Sequence, residues 1–182
     1  MNSYFYLMAL NNAYANEKLL GAVCELSDEE FSAPRSGFFP SLKATLNHVL
    51  FVDRYYLDAL YEEGVGKKVY DAEEISNPGE LKSKQAKEDA RLVAFCRDLT
   101  DKATLRQVAT DRGDKGAIEE RVDALLLHLF QHQVHHRGQA HAMLSSTRVK
   151  PPQLDEFFLE FERDPVAEKH LKTAGMTGWQ PK

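Results

Sequence analysis

An all-α fold, a four-helix bundle with a short additional C-terminal helix, follows from three observations. Four long segments repeat apolar residues at the period of a helix. Almost no segment alternates apolar and polar residues as a half-buried strand does. Every proline, and every glycine but Gly21 and Gly138, falls outside the four segments. Amphipathic helices without a sheet to cover must bury their apolar stripes on one another.

The first helix is expected at about 4–26, where Phe5, Met8, Ala9, Ala15, Leu19, Ala22, Val23 and Leu26 make the stripe. Ser27-Asp28-Glu29-Glu30 and then Pro34 to Gly37 end it. The second begins near Pro40-Ser41, with its seam at Leu42, Leu46, Val49, Val52, Tyr56 and Leu60, and stops before Gly64 and Gly66. Proline suits a first helical turn and glycine a helix end. Residues 64–78 are polar and long enough for a crossover rather than a tight hairpin. The third helix follows Asn77-Pro78-Gly79, with Asn77 or Ser76 as its cap and a seam of Leu81, Gln85, Glu88, Leu92, Phe95 and Leu99. In residues 100–117 only 105–110 suggests a short extended piece. The fourth helix is expected at about 118–146, ended by Pro151-Pro152. Residues 154–161 read as the short amphipathic helix docked on the bundle, and a loose tail is expected from Gly175.

At 182 residues the chain suits one domain, 1–182, with a bundle core at about 4–147 and a C-terminal helix and tail at 151–182. A net charge of −5 without a basic stripe argues against nucleic acid as a partner. The Lys82 to Lys87 stretch is interleaved with acids and reads as a solvated face. The opening Met1-Asn2-Ser3-Tyr4 lacks a signal peptide's basic start, and no apolar run approaches the roughly 20 residues of a membrane span. No membrane partner and a cytoplasmic location are therefore expected. Cys24 and Cys96 read as unpaired, largely buried thiols within helices.

The chemistry concentrates between His128 and Gln139. Four of the seven histidines, at 128, 132, 135 and 136, crowd into this stretch. His128, His132 and His136 recur every fourth residue, so they stack along one helix face. Two neutral imidazoles one turn apart can hold one divalent ion, as in the HExxH helix. Three cannot, because His128 and His136 stand about 12 Å apart along the axis. A third ligand must come from elsewhere. His141 lies in another angular sector, with Arg137 and Phe130, and His170 in a polar tail, so His48 on the second helix is the better choice. Burying two adjacent imidazoles unpartnered costs several kcal/mol, which a metal removes.

The segments Gly37-Phe-Phe-Pro-Ser-Leu-Lys-Ala-Thr-Leu-Asn-His48 and His128-Leu-Phe-Gln-His132-Gln-Val-His-His136-Arg-Gly-Gln139, with Asn12-Ala-Tyr-Ala-Asn16 on the first helix, resemble the DinB/YfiT-like family of metal-dependent proteins. The resemblance runs from about residue 4 to 146. It implies a four-helix bundle whose metal is held by His48, His132 and His136. Gln131 stands where the family often has Asn, a departure that touches no ligand. The resemblance also implies a transferase that activates a low-molecular-weight thiol, or water, toward a small electrophilic substrate. A non-enzymatic metal-binding stress protein, for storage, sensing or buffering, is the competing class. Imidazole donors suit Zn, Ni or Fe, and three of them leave a coordination position open.

Around this centre, Gln139 is placed to orient a ligand imidazole, and His128 reads as surface or second shell. Asn12 and Asn16 serve core hydrogen bonds and substrate contacts equally well, and Tyr55 lies near His48 in angle and is a candidate pocket residue. Arg137 points away on the helical wheel, toward a surface or interface. Leu127, Phe130 and Val134 form a second stripe, for the C-terminal helix or for a homodimer. With imidazoles of ordinary pKa, metal affinity is expected to fall as pH drops from about 6.5 toward 5.

Overall fold

The computed structural model describes residues 3–176 and forms a helical bundle. Its four long helices are α1 (Ser3–Val23), α3 (Leu42–Tyr61), α4 (Pro78–Asp98) and α6 (Val122–Leu144). Three short α-helices, α2 (Asp28–Ser32), α5 (Asp101–Thr104) and α7 (Pro165–Thr173), accompany them. Helix starts follow the expected chemistry. The Ser41 hydroxyl accepts from Ala44 N to open α3, and Asn77 accepts from Glu80 N ahead of Pro78 to open α4. Ser27 and Glu30 close a reciprocal capping box on α2.

Each long helix packs on two others: α1 against α4 and α6, and α3 against α4 and α6. Side-chain pairs give the directions. Thr45 meets Met143 while Tyr56 meets His128, so α3 and α6 are antiparallel. Asp53 meets Gln85 while Tyr61 meets Phe95, so α3 and α4 run parallel. A parallel neighbour requires the crossover that residues 62–77 make. Its start is held by the Asp58 carboxylate, which accepts from Val65 N and Gly66 N, both at 2.8 Å. Its end is held by Asn47, whose amide exchanges two hydrogen bonds with Ile75 at 2.7 and 2.9 Å.

Four expectations are corrected. Residues 117–121 are not helical. β1 (Gln107–Asp111) and β2 (Ala117–Arg121) pair antiparallel, Thr110 opposite Ile118, through a turn with Gly113 and Gly116 at positive φ. Helix-forming Glu119 and Glu120 hid the strand, since pairing overrides propensity here. Residues 154–161 make turns instead of a helix, because Arg163 donates to the Phe157 and Phe158 carbonyls and Asp164 N to Glu156 O. The C-terminal helix is α7, capped by Asp164 and opened by Pro165, and it packs on α1. The second stripe also divides: Phe130 is buried, while Leu127 and Val134 stay exposed and α7 does not cover them. Cys96 is buried, but Cys24 lies just past α1 and is exposed. Of the expected loose tail, residues 177–182 lie outside the described residues. No helix among the described residues is long and apolar enough to cross a membrane.

The core is split by a polar layer. One apolar cluster, with Tyr56, Leu60, Leu92 and Leu126, fills one half of the bundle; another, with Leu19, Leu46, Leu81 and Leu144, fills the other. Between them every long helix contributes polar side chains. Asn12 and Asn16 of α1 accept from the Arg137 guanidinium and donate to Asp89. Gln133 of α6 donates to Asp53 of α3, and Gln85 of α4 donates to both Asp53 and Asp89. Arg137 is 5% exposed, so it is a core residue and not the surface group its wheel position suggested. The amides stand between one cation and two carboxyls and leave few of those groups unpaired.

Burial dominates the titration of this layer. It raises Asp53 to about 7 and Asp89 to about 8, the latter also pushed up by Asp53, while Arg137 falls to about 10 and stays charged. Arg137→Leu removes the only buried cation of the layer, and is expected to cost about 3–5 kcal/mol. A carboxyl with a raised folded pKa holds its proton below that value, so stability falls as pH rises from the unfolded value near 3.8 toward it. Losing Arg137 raises both values further, so the deficit should be larger at pH 8 than at pH 5. Urea unfolding at the two pH values checks this; a loss under about 1 kcal/mol at pH 8 would contradict it.

Candidate metal centre

His48 reaches the centre from the middle of α3, and His132 and His136 from adjacent turns of α6. Their position follows from the polar layer, because Gln133, next to His132, is bound to Asp53 of α3. Each of the three imidazoles offers one nitrogen, and these nitrogens all lie within 4.8 Å of one another. The ring centroids are 4.3–4.9 Å apart. The Nε2 atoms of His48 and His132 stand 3.0 Å apart. With metal–nitrogen bonds of about 2.0–2.1 Å, two ligand nitrogens are about 2.9 Å apart at a right angle and about 3.4 Å apart at a tetrahedral one. The observed separation falls in that interval.

Tautomers support the same use. His136 Nδ1 donates to Gln139 Oε1 at 2.9 Å, which leaves the lone pair on Nε2. The Gln139 amide in turn donates to His135 Nε2 at 3.0 Å. A hydrogen bond between His48 and His132 also explains 3.0 Å. It does not engage the His136 Nε2, however, whereas one cation would take a lone pair from all three rings; the buried Nδ1 of His132 has no partner among the described residues in either case. An all-imidazole donor set of this size fits one divalent cation of the borderline-soft class.

Burial, together with the neighbouring imidazole of His136, holds His48 near 4. Burial first, then the surrounding His136, His48, His128 and His135, holds His132 near 3. Burial also lowers His136, against the upward pull of its Gln139 hydrogen bond. All three rings are therefore neutral at physiological pH, as ligation requires. This shifts the acid limit expected from ordinary imidazoles.

The surroundings divide the centre into a covered and an open side. The Phe39 ring lies 4.5 Å from His48 and 5.7 Å from His136. On the other side His132 forms part of a cavity of about 300 Å³ that Tyr55, Tyr56, Tyr70 and His128 also line. His128 is exposed, and its ring is 6.3 Å from that of His132 and edge-on to Tyr56, so it is a pocket wall beside the triad. Tyr55 is both wall and brace, donating through its hydroxyl to Asp111 O at 2.5 Å. Asn12 and Asn16 hydrogen-bond within the polar layer and do not line this cavity, though Asn16 lines a larger one. His141 bonds to Pro152 O, away from the cluster. A larger cavity of about 540 Å³ opens between α1, α4 and α7, without any of the three histidines.

Sequence reasoning missed Asp53, Asp89, Gln133 and the role of Arg137. The available signal was Gln85 and Glu88 inside the seam of the third helix, since polar residues on an apolar stripe call for buried partners.

Because the folded imidazoles titrate low, protons displace the metal later than at an ordinary pKa. Affinity is expected to decline first as pH drops through the His136 value, which lies below the ordinary 6.5, and then steeply through the His48 and His132 values of about 4 and about 3. Isothermal titration with Zn²⁺ across this range checks it, and a steep loss already near pH 6.5 would show ordinary, solvent-exposed ligands.

Known proteins resemble this chain in sequence and fold. The chain is 24% identical over 151 residues to Protein DinB of Bacillus subtilis (strain 168), an alignment covering 79% of this chain and 86% of that protein. The crystal structure of a DinB-like protein from Bacillus cereus ATCC 10987 superposes with a TM-score of 0.62 at 19% identity, covering 78% of this chain and 89% of that one. At that identity the superposition speaks for the fold. The model of the DinB family matches residues 1–169, and the chain belongs to the DinB family.

Proposed function

We propose that this protein is a divalent-metal-dependent transferase in which His48, His132 and His136 hold one ion, Zn, Ni or Fe, and the adjoining cavity holds a small substrate. The observation that carries this reading is the meeting of three neutral imidazoles, one of which, His132, lines a cavity. Three protein donors leave a position for an exogenous ligand, the pattern of a catalytic rather than a closed structural site. Bound there, a divalent cation supplies Lewis acidity that favours the deprotonated form of a low-molecular-weight thiol or of water near neutral pH.

The chain's own groups do the rest. Gln139 holds the His136 ring in one tautomer. Phe39 keeps water from the faces of His48 and His136. The tyrosines beside His132 confine whatever approaches from the open side. Storage or sensing of metal would need the three ligands but no cavity beside them, so the cavity favours the enzyme.

Cobalt substitution tests the open position. Adding azide or 2-mercaptoethanol to the Co²⁺ protein should change its visible spectrum, and a thiol should add sulfur-to-cobalt charge transfer. An unchanged spectrum at full cobalt occupancy would mean a closed site and would sink the transferase reading in favour of storage or sensing.

A further inference from the structure

Two cations face the cavity beside His132. Arg112, in the β1–β2 turn, donates to the Tyr56 hydroxyl oxygen, and its carboxylate partner, Glu120, is 3.9 Å away. Lys67 comes from the crossover after α3 and has no carboxylate within ion-pair distance among the described residues. The single carboxylate in the cavity wall, Asp111, is already committed to backbone. It accepts from Lys67 N at 2.9 Å and from Gly113 N at 2.8 Å.

The frame that brings these cations together is built by glycines. Gly66 and Gly113 both have positive φ, at 60° and 64°. A Cβ on Gly66 would stand 2.5 Å from Asp111 Oδ2, and one on Gly113 would stand 2.9 Å from Lys67 Nζ. The Lys67 ammonium therefore rests on the residue next to Arg112. Tyr55 fixes the same corner through its bond to the Asp111 carbonyl. Both cations line one cavity, with the Asp111 carboxylate acting on Lys67 and Glu120 on Arg112, and an anion entering the cavity would be attracted to both.

The remaining wall is aromatic. Tyr55 lies edge-on to Tyr56 at 5.1 Å and 5.5 Å from Tyr70. Such faces accept a flat, unsaturated body, and a volume of about 300 Å³ is at the lower end for ligand pockets.

We propose that this cavity binds a small planar carboxylate, its anionic group between Lys67 and Arg112 and its body against Tyr55, Tyr56 and Tyr70. That this ligand is the substrate rests on the metal-dependent reading; that it binds here does not. Arg112 and Lys67 are then specificity determinants that select a charged substrate over its neutral analogue and turn its distal end toward His132.

Benzoate and its uncharged counterpart benzamide are the probes, titrated by calorimetry into the full chain at low ionic strength, both after chelator treatment and after Zn²⁺ loading. Benzoate is expected to bind at least about tenfold more tightly than benzamide, in both forms, since a charge-assisted bond contributes about 1.5–3 kcal/mol. Arg112→Gln and Lys67→Gln should each remove most of that preference and leave benzamide binding and Zn²⁺ content unchanged. Equal binding of the two probes by the native chain would overturn the proposal without any variant. So would benzoate binding that needs Zn²⁺ and survives both substitutions, because the carboxylate would then be sitting on the metal. Should the chain fail to load Zn²⁺ while the preference still depends on Arg112 and Lys67, the metal-dependent reading falls and the carboxylate site stands.

Discussion

The hydrogen bond from Gln133 to Asp53 fixes α6 against α3 inside the bundle, and the candidate centre depends on that register. Gln133 is the residue after His132, so the bond that ties it to α3 also sets His132 opposite His48. A slip of one turn along α6 would move the imidazole by about 5.4 Å, more than the whole spread of the cluster allows. The bond does not act alone. Asp53 shares Gln85 with Asp89, and Asp89 shares two asparagines with Arg137, so all four long helices are locked at one level.

This layer has a cost and a use. Apolar side chains of similar volume would pack there with less desolvation. They would slide more freely, however, because ridges of similar aliphatic residues interdigitate in several registers. The polar layer admits one register, and the histidines sit at its edge, with His132 facing the cavity. Their depressed pKa values arise from that position. Burial keeps the rings neutral and their lone pairs available, while the open side leaves room for a ligand.

The four long helices were legible from apolar periodicity and from the punctuation at Pro40, Gly64, Pro78 and Pro151, and the crossover from the length of the polar stretch after Gly64. The histidine trio was legible because helical spacing brings His132 and His136 together and leaves few candidates for a third. The hairpin was not, since Glu119 and Glu120 carry no strand signal and become a strand only through pairing with Ala109 and Val108. Nor was the true place of Arg137. A wheel drawn on apolar residues alone sends a guanidinium outward, and only the partners on other helices, Asn12 and Asn16, make the core habitable for it. The cavity likewise joins residues far apart in sequence, such as Lys67 and Arg112, that no local pattern connects.

The central claim is that three histidines from two helices, and no others, hold one metal ion. Metal content of purified His48→Ala compared with His141→Ala tests it most directly, because these two residues differ in geometry rather than in chemistry. The account predicts about one ion per chain in the native protein and in His141→Ala, and a loss of about tenfold or more in His48→Ala, where two imidazoles make a weak site. Full occupancy in His48→Ala, or an equal loss in His141→Ala, would contradict it.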